Sequence, residues 1–255
     1  MLKQIYTIAF YTLLEAMRNR LSWLMVVIAL ISIAFAGFLG DMALTESTQL
    51  QVALLAAFLR FSSVFLMATF VVTSMVREMN DKGLELLLAL PLPRSSYLLG
   101  KLFGYAVLAM FPALLFGGLT VFFTPFHQSL IWISALIFEL WIVVAFAILC
   151  VLSMHQILTA LSATMGFYLL SRSISALLLI ANDPLTSPSI SQTWMQKIIN
   201  GIASVLPHLD QFTQTEWLVY QTGHWFMLGP LWVQCLLSLV LLGAAAMFDL
   251  YRKNI

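Results

Sequence analysis

From Leu21 to Gly40 the chain runs for twenty residues without an Asp, Glu, Lys or Arg. At about 1.5 Å of rise per residue, that is the length of helix that crosses roughly 30 Å of hydrocarbon. A segment in lipid must satisfy its backbone hydrogen bonds internally, which favours a spanning helix here. Charge-poor runs of this length recur, so the fold class is an all-α integral membrane protein in a single unit, residues 1–255, with six transmembrane helices. The spans are expected over residues 21–40, 52–76, 97–123, 130–152, 157–181 and 229–248. Composition agrees: 62% apolar and 9% charged residues leave too little polar surface for a soluble globule, where about 25% charged is usual. Ala34, Phe35 and Ala36 would suit a leader cleavage site. Apolar sequence nevertheless continues through Phe38 and Leu39, so a full span is expected instead of a removed leader.

Residues 1–20 alternate between two helical stripes. Lys3, Thr7, Tyr11, Glu15 and Arg18 share one, and Leu2, Ile5, Ala9, Leu13 and Met17 the other. An interfacial helix and an ordinary cytoplasmic helix both fit that periodicity. Residues 182–225 form the one long stretch between spans. Trp194, Met195, Ile198, Ile199, Ile202, Val205 and Leu206 make an apolar stripe there, opposite Gln192, Gln196, Lys197 and Asn200. This predicts an amphipathic helix lying on the outer surface.

Orientation follows from the basic residues. With both termini in the cytoplasm, Lys3, Arg18, Arg20, Arg77, Lys82, Arg94, Lys101, Arg252 and Lys253 fall inside and Lys197 alone outside, as the positive-inside bias demands.

Charge that the spans avoid is gathered between Arg77 and Tyr105, which holds seven charged residues: Arg77, Glu78, Asp81, Lys82, Glu85, Arg94 and Lys101. Asp81 can cap a short helix whose Leu84, Leu87 and Leu88 share one face, and Pro91 and Pro93 stop it. The run EMNDKGLELLLALPLPRSSYLLGK resembles the cytoplasmic loop of ABC-2 type exporter permeases, with Glu78, Gly83, Glu85, Pro91, Arg94, Gly100 and Lys101 in the family's order. LPHLDQF at Leu206 to Phe212 and the terminal FDLYRKNI resemble two further family segments.

The resemblance implies an N-terminal elbow helix at residues 1–20 and a coupling loop at residues 78–94. That loop would contact a separate ABC ATPase subunit through Glu78, Asp81, Gly83, Leu84, Glu85, Leu87, Leu88 and Arg94. It further implies ATP and Mg in that partner rather than in this chain, a second permease subunit as homodimer or heterodimer, export, and the bacterial inner membrane. An interfacial helix touching only lipid head groups is the plainer reading of the same loop.

Three charges lie deep inside the spans: Arg60, Glu139 and Arg172. Glu139 stands nine residues from Leu130 and Arg172 nine from Ala181, so each is about 13 Å below the outer ends of neighbouring antiparallel spans. Arg60 reaches a similar depth. Such groups persist in membranes where they pair or line a polar path. Both an ion pair that fixes packing and an outward-facing polar site remain open at this point.

No GxxxxGK[ST], HExxH, GxSxG or CxxC occurs, so the sequence offers no ATP-binding P-loop and no enzyme motif. His208 and Asp210 form an HxD pair without a third ligand at supporting spacing, and no metal site is expected. A net charge of +1 gives no basic patch for nucleic acid. A membrane anchor or assembly factor that recruits a partner without transport is the alternative function. Charges inside three spans argue against it, since static anchoring does not require them.

Overall fold

The computed structural model describes residues 2–19, 21–42, 47–80, 93–181 and 190–252. The described regular structure is helical: α1 (Leu2–Arg18), α2 (Leu21–Met42), α3 (Ser47–Asn80), α4 (Arg94–Thr120), α5 (Phe126–Met154), α6 (Ile157–Ala181), α7 (Ile190–Val205), α8 (Thr215–Val219) and α9 (Leu228–Arg252). Single turns of tighter helix at Leu209–Gln211 and Trp225–Met227 join the last three. Five helices, α3, α4, α5, α6 and α9, are long and apolar enough to cross a membrane, and the bent pair α1 and α2 is the candidate for a sixth span. For orientation, the end of the bundle where α3 finishes and α4 begins is the loop end, and the opposite end is the far end.

Helix α5 is the hub, packing against α3, α4, α6 and α9. Its sequence is apolar all round, which suits a helix enclosed by others rather than a one-sided surface helix. Most of α5 is buried, whereas α9 buries only Leu231, Cys235, Ala246 and Leu250 among its described side chains and meets its surroundings over most of its circumference. Short turns make neighbours antiparallel. His155 takes the left-handed position that ends α5, with φ 59°, and α6 starts two residues later. Pro93 and Pro125 stand at the N-caps of α4 and α5, where no intrahelical N–H bond is lost.

Three glycines set close approaches. A Cβ on Gly117 would collide with Ile133 of α5, so α4 and α5 touch nearly backbone to side chain there. A Cβ on Gly100 would lie 2.8 Å from Ile8 Cβ, and one on Gly104 only 3.1 Å from Ala9 Cα. Gly100 and Gly104 form a GxxxG step of the kind that lets membrane helices meet closely, and α1 lies in it. The face of α1 that packs is therefore the small one: Ala9, Thr12 and Ala16 are buried, while Met17 is 72% exposed. Of the apolar stripe read from sequence, Ala9 is buried in this contact and Leu13 packs partly against the core, while Met17 points away. The contact face is rotated toward Ile8, Thr12 and Ala16, which meet Gly100 and Gly104 or lie beside them.

The stretch after Val205 also departs from a surface location. Leu209, Phe212 and Thr213 are fully buried, and Trp217 and Leu218 nearly so. This segment enters the far end of the bundle and packs against α3, α5 and α6. Gln128 fastens its exit: the side-chain amide donates to the carbonyls of Gln221 (2.9 Å) and Gly223 (3.2 Å) and accepts from Gly223 N–H at 3.1 Å.

Candidate functional site: a buried charge latch and a loop-end clamp

Arg60 of α3, Glu139 of α5 and Arg172 of α6 converge inside the bundle, between its middle and the far end, with a piece of backbone among them. Arg172 Nη1 lies 3.7 Å from Glu139 Oε1 but donates to the Leu209 carbonyl at 2.6 Å. Its guanidinium also reaches Thr213 Oγ1 and the Thr213 carbonyl, both at 3.3 Å. Arg60 Nη1 donates to that same carbonyl at 3.0 Å. The Thr213 hydroxyl donates to Glu139 Oε2, and Tyr168 lies within electrostatic reach of all three charges. Glu139 is wholly enclosed, whereas the Arg172 side chain keeps 20% of its exposure.

The physical reason for this arrangement is the irregular backbone of residues 206–214. Non-helical backbone at membrane depth survives only where its carbonyls find partners inside the protein. Two guanidiniums supply those partners, and the carboxylate balances one of them. The expected pairing of Glu139 with Arg172 is present, yet the tighter bonds of Arg172 go to the segment. Thr213 and the Leu209 carbonyl belong to the site and were not singled out in the sequence. Their signal was the LPHLDQF run, legible as a motif but not as a buried ligand for arginine. Asp210 Oδ2 accepts from Ser175 Oγ at 2.5 Å, and among the described residues no group of His, Cys, Asp and Glu could hold a metal ion.

A second polar cluster braces the loop end. Lys101 Nζ of α4 pairs with Glu78 Oε2 of α3 at 2.6 Å and lies 5.7 Å from the centroid of the Tyr105 ring. Tyr105 donates to Ser74 Oγ (3.1 Å), and Ser74 donates to Glu15 Oε1 of α1 at 2.6 Å. Three helices are thus tied at the point where residues 81–92 leave and return. Glu78 is held within the chain, and Arg94 opens α4. Asp81, Gly83, Leu84, Glu85, Leu87 and Leu88 lie outside the described residues. Glu15, Ser74 and Tyr105 were missed in the sequence; the readable hint was the glycine step that brings α1 onto α4.

A bundle with five or six helices long and apolar enough to cross a membrane, with charges latched inside it, defines a polytopic membrane protein. Residues 39–248 match the family model described as ABC-2 family transporter protein, and the chain belongs to that family. It is accordingly a permease component of an ABC transporter, a membrane part that is not itself catalytic. The match runs from the end of α2 into α9 and so takes in the loop at 81–92 and the buried segment after Val205. A search among curated proteins finds no match.

Proposed function

We propose that this permease couples ATP hydrolysis in a separate nucleotide-binding subunit, which holds ATP and Mg, to export across the bacterial inner membrane. It works as a dimer with a second copy or a related permease, with both termini in the cytoplasm. The distribution of Lys and Arg supports that orientation, and the missing P-loop supports a separate ATPase. Under this orientation the loop end is cytoplasmic, and α1 serves as the elbow helix.

The observation that carries the coupling reading is the continuity of α3. This single helix of 34 residues bears Ser74 and Glu78 in the loop-end clamp and Arg60 in the buried latch. Eighteen residues separate Glu78 from Arg60, about 27 Å along the axis. A partner pressing on Asp81 to Leu90 would move α3, α4 and α1 together, because the clamp ties them. The motion would reach the Arg60 bond to Thr213 through a rigid element, and the segment around Thr213 would act as the outer gate. Glu78 in this reading braces the loop rather than touching the partner alone.

The test is co-purification from detergent with the candidate ATPase, comparing wild type with a Leu84→Asp, Leu87→Asp variant that still inserts into the membrane. The wild type is expected to retain the ATPase and the variant to lose it. Retention by both, or by neither, would remove the loop from the coupling mechanism.

A further inference from the structure

Arg60 is the charge in the latch that no carboxylate balances. Among the described residues, the ion pairs closer than 4.0 Å are Lys101 with Glu78 and Arg172 with Glu139. The partner of Arg60 is a neutral carbonyl, that of Thr213, and its Nε is buried without a hydrogen-bond acceptor. Asp210, the next carboxylate, interacts with Arg172 and accepts from Ser175. Arg60 lies thirteen residues into α3, about 20 Å along the axis from Ser47, where an unbalanced cation is costly.

The surroundings of Arg60 favour an anion with an apolar body. Both guanidiniums reach the Thr213 carbonyl, at 3.0 and 3.3 Å, so one small anion displacing that oxygen would meet the unbalanced Arg60 and an N–H edge of Arg172, whose charge Glu139 already balances. Ala53 and Ala57 precede Arg60 on the same helical stripe, and both are small and half-buried, leaving room beside it. Leu54, Phe61 and Phe65, all exposed by 40% or more, form the adjoining stripe, with the two Phe rings stacked at 6.4 Å. The α3 surface thus offers a cationic point beside an aromatic strip.

We propose that Arg60, assisted by Arg172, is the binding site for a phosphate or carboxylate group carried by the transported molecule or by a bound lipid. Arg60 is suited to it because a guanidinium can hold two oxygens through parallel N–H bonds, which a carbonyl cannot exploit. When the anion takes Arg60 from Thr213, the far-end segment loses one of its anchors, so binding and gate release become one event. The proposal deepens the transport reading by naming a substrate class and rests on it for the gating step. The binding step is tested on the permease alone, without an ATPase, so loss of one reading leaves the other measurable.

The full chain is placed in nanodiscs of phosphatidylcholine and titrated separately with phosphatidylglycerol and with inorganic phosphate, and the dissociation constant of each probe is measured. Binding of phosphatidylglycerol alone identifies a lipid head group, and binding of inorganic phosphate identifies a free anion. In either case Arg60→Gln is expected to weaken the probe that binds by about tenfold or more. Arg77→Gln, at the exposed loop end of the same helix, should change it less than about twofold. Equal affinity in wild type and Arg60→Gln, binding of neither probe by wild type, or an equal loss in Arg77→Gln would each overturn the proposal. If Arg60→Gln fails to enter nanodiscs, Arg60→Lys serves in its place. It keeps the charge but not the paired N–H edge, so it should still weaken binding, and wild-type affinity in it would be equally fatal.

Discussion

Replacing Arg172 with Met and Glu139 with Gln should have unequal costs, although the two residues form an ion pair. Arg172→Met removes the 2.6 Å bond to the Leu209 carbonyl and two longer bonds to Thr213, and it strips the cation from a carboxylate that is 0% exposed. Breaking one side of a buried charge pair costs about 3–5 kcal/mol, and the orphaned carbonyl falls within that range rather than adding a second full penalty. Glu139→Gln is milder. The amide keeps an oxygen for the Thr213 hydroxyl, and Arg172 keeps its carbonyls, so about 1–2 kcal/mol is expected. The double variant should fall between them, because neutralising Glu139 relieves the stranded charge but leaves the Leu209 carbonyl unpaired. Reversible unfolding in mixed micelles, followed by tryptophan fluorescence, gives the three free energies. Should Glu139→Gln cost as much as Arg172→Met, and the double variant return to within about 1 kcal/mol of wild type, the latch would be a simple ion pair. The claim that Arg172 chiefly anchors backbone would then be wrong.

Three further outcomes follow from the packing and the clamp. Gly104→Leu places a side chain where even a Cβ meets Thr12 Cβ at 3.0 Å, so α1 should lift from α4 and its Lys3 and Arg18 become faster trypsin sites, with about 1–3 kcal/mol of overpacking cost; unchanged cleavage would place α1 elsewhere. Lys101→Met strands Glu78, whose side chain is 18% exposed, and should lower stability by about 2 kcal/mol. Adding Glu78→Gln should recover more than half, and a failure to recover would mean that Lys101 acts through packing. Gly223→Ala sets a methyl 2.5 Å from Gln128 Oε1. It should open the loop after α8 and speed amide exchange at residues 221–223, whereas exchange as slow as wild type would show that the loop closes without Gln128.

What the sequence determined by itself is the one-dimensional part. Charge-poor runs of helical span length mark the helices that are long and apolar enough to cross a membrane, since lipid leaves an isolated apolar segment no other way to satisfy its backbone. The same logic made Arg60, Glu139 and Arg172 conspicuous, because an ionisable group within such a run is costly wherever its partner lies. The loop motif from Glu78 to Lys101 carried the family. What only the tertiary structure decided is which groups meet. Periodicity assigned α1 an apolar face, but Gly100 and Gly104, ninety residues away, rotated the contact toward Ile8, Thr12 and Ala16, keeping Ala9 and leaving Met17 outside. The stretch after Val205 looked like surface because its own residues are mixed. It is buried because α3 and α6 hold out guanidiniums for its carbonyls. A carbonyl has no letter in the sequence, so a latch made of side-chain cations and main-chain oxygens becomes visible only when the chain is folded.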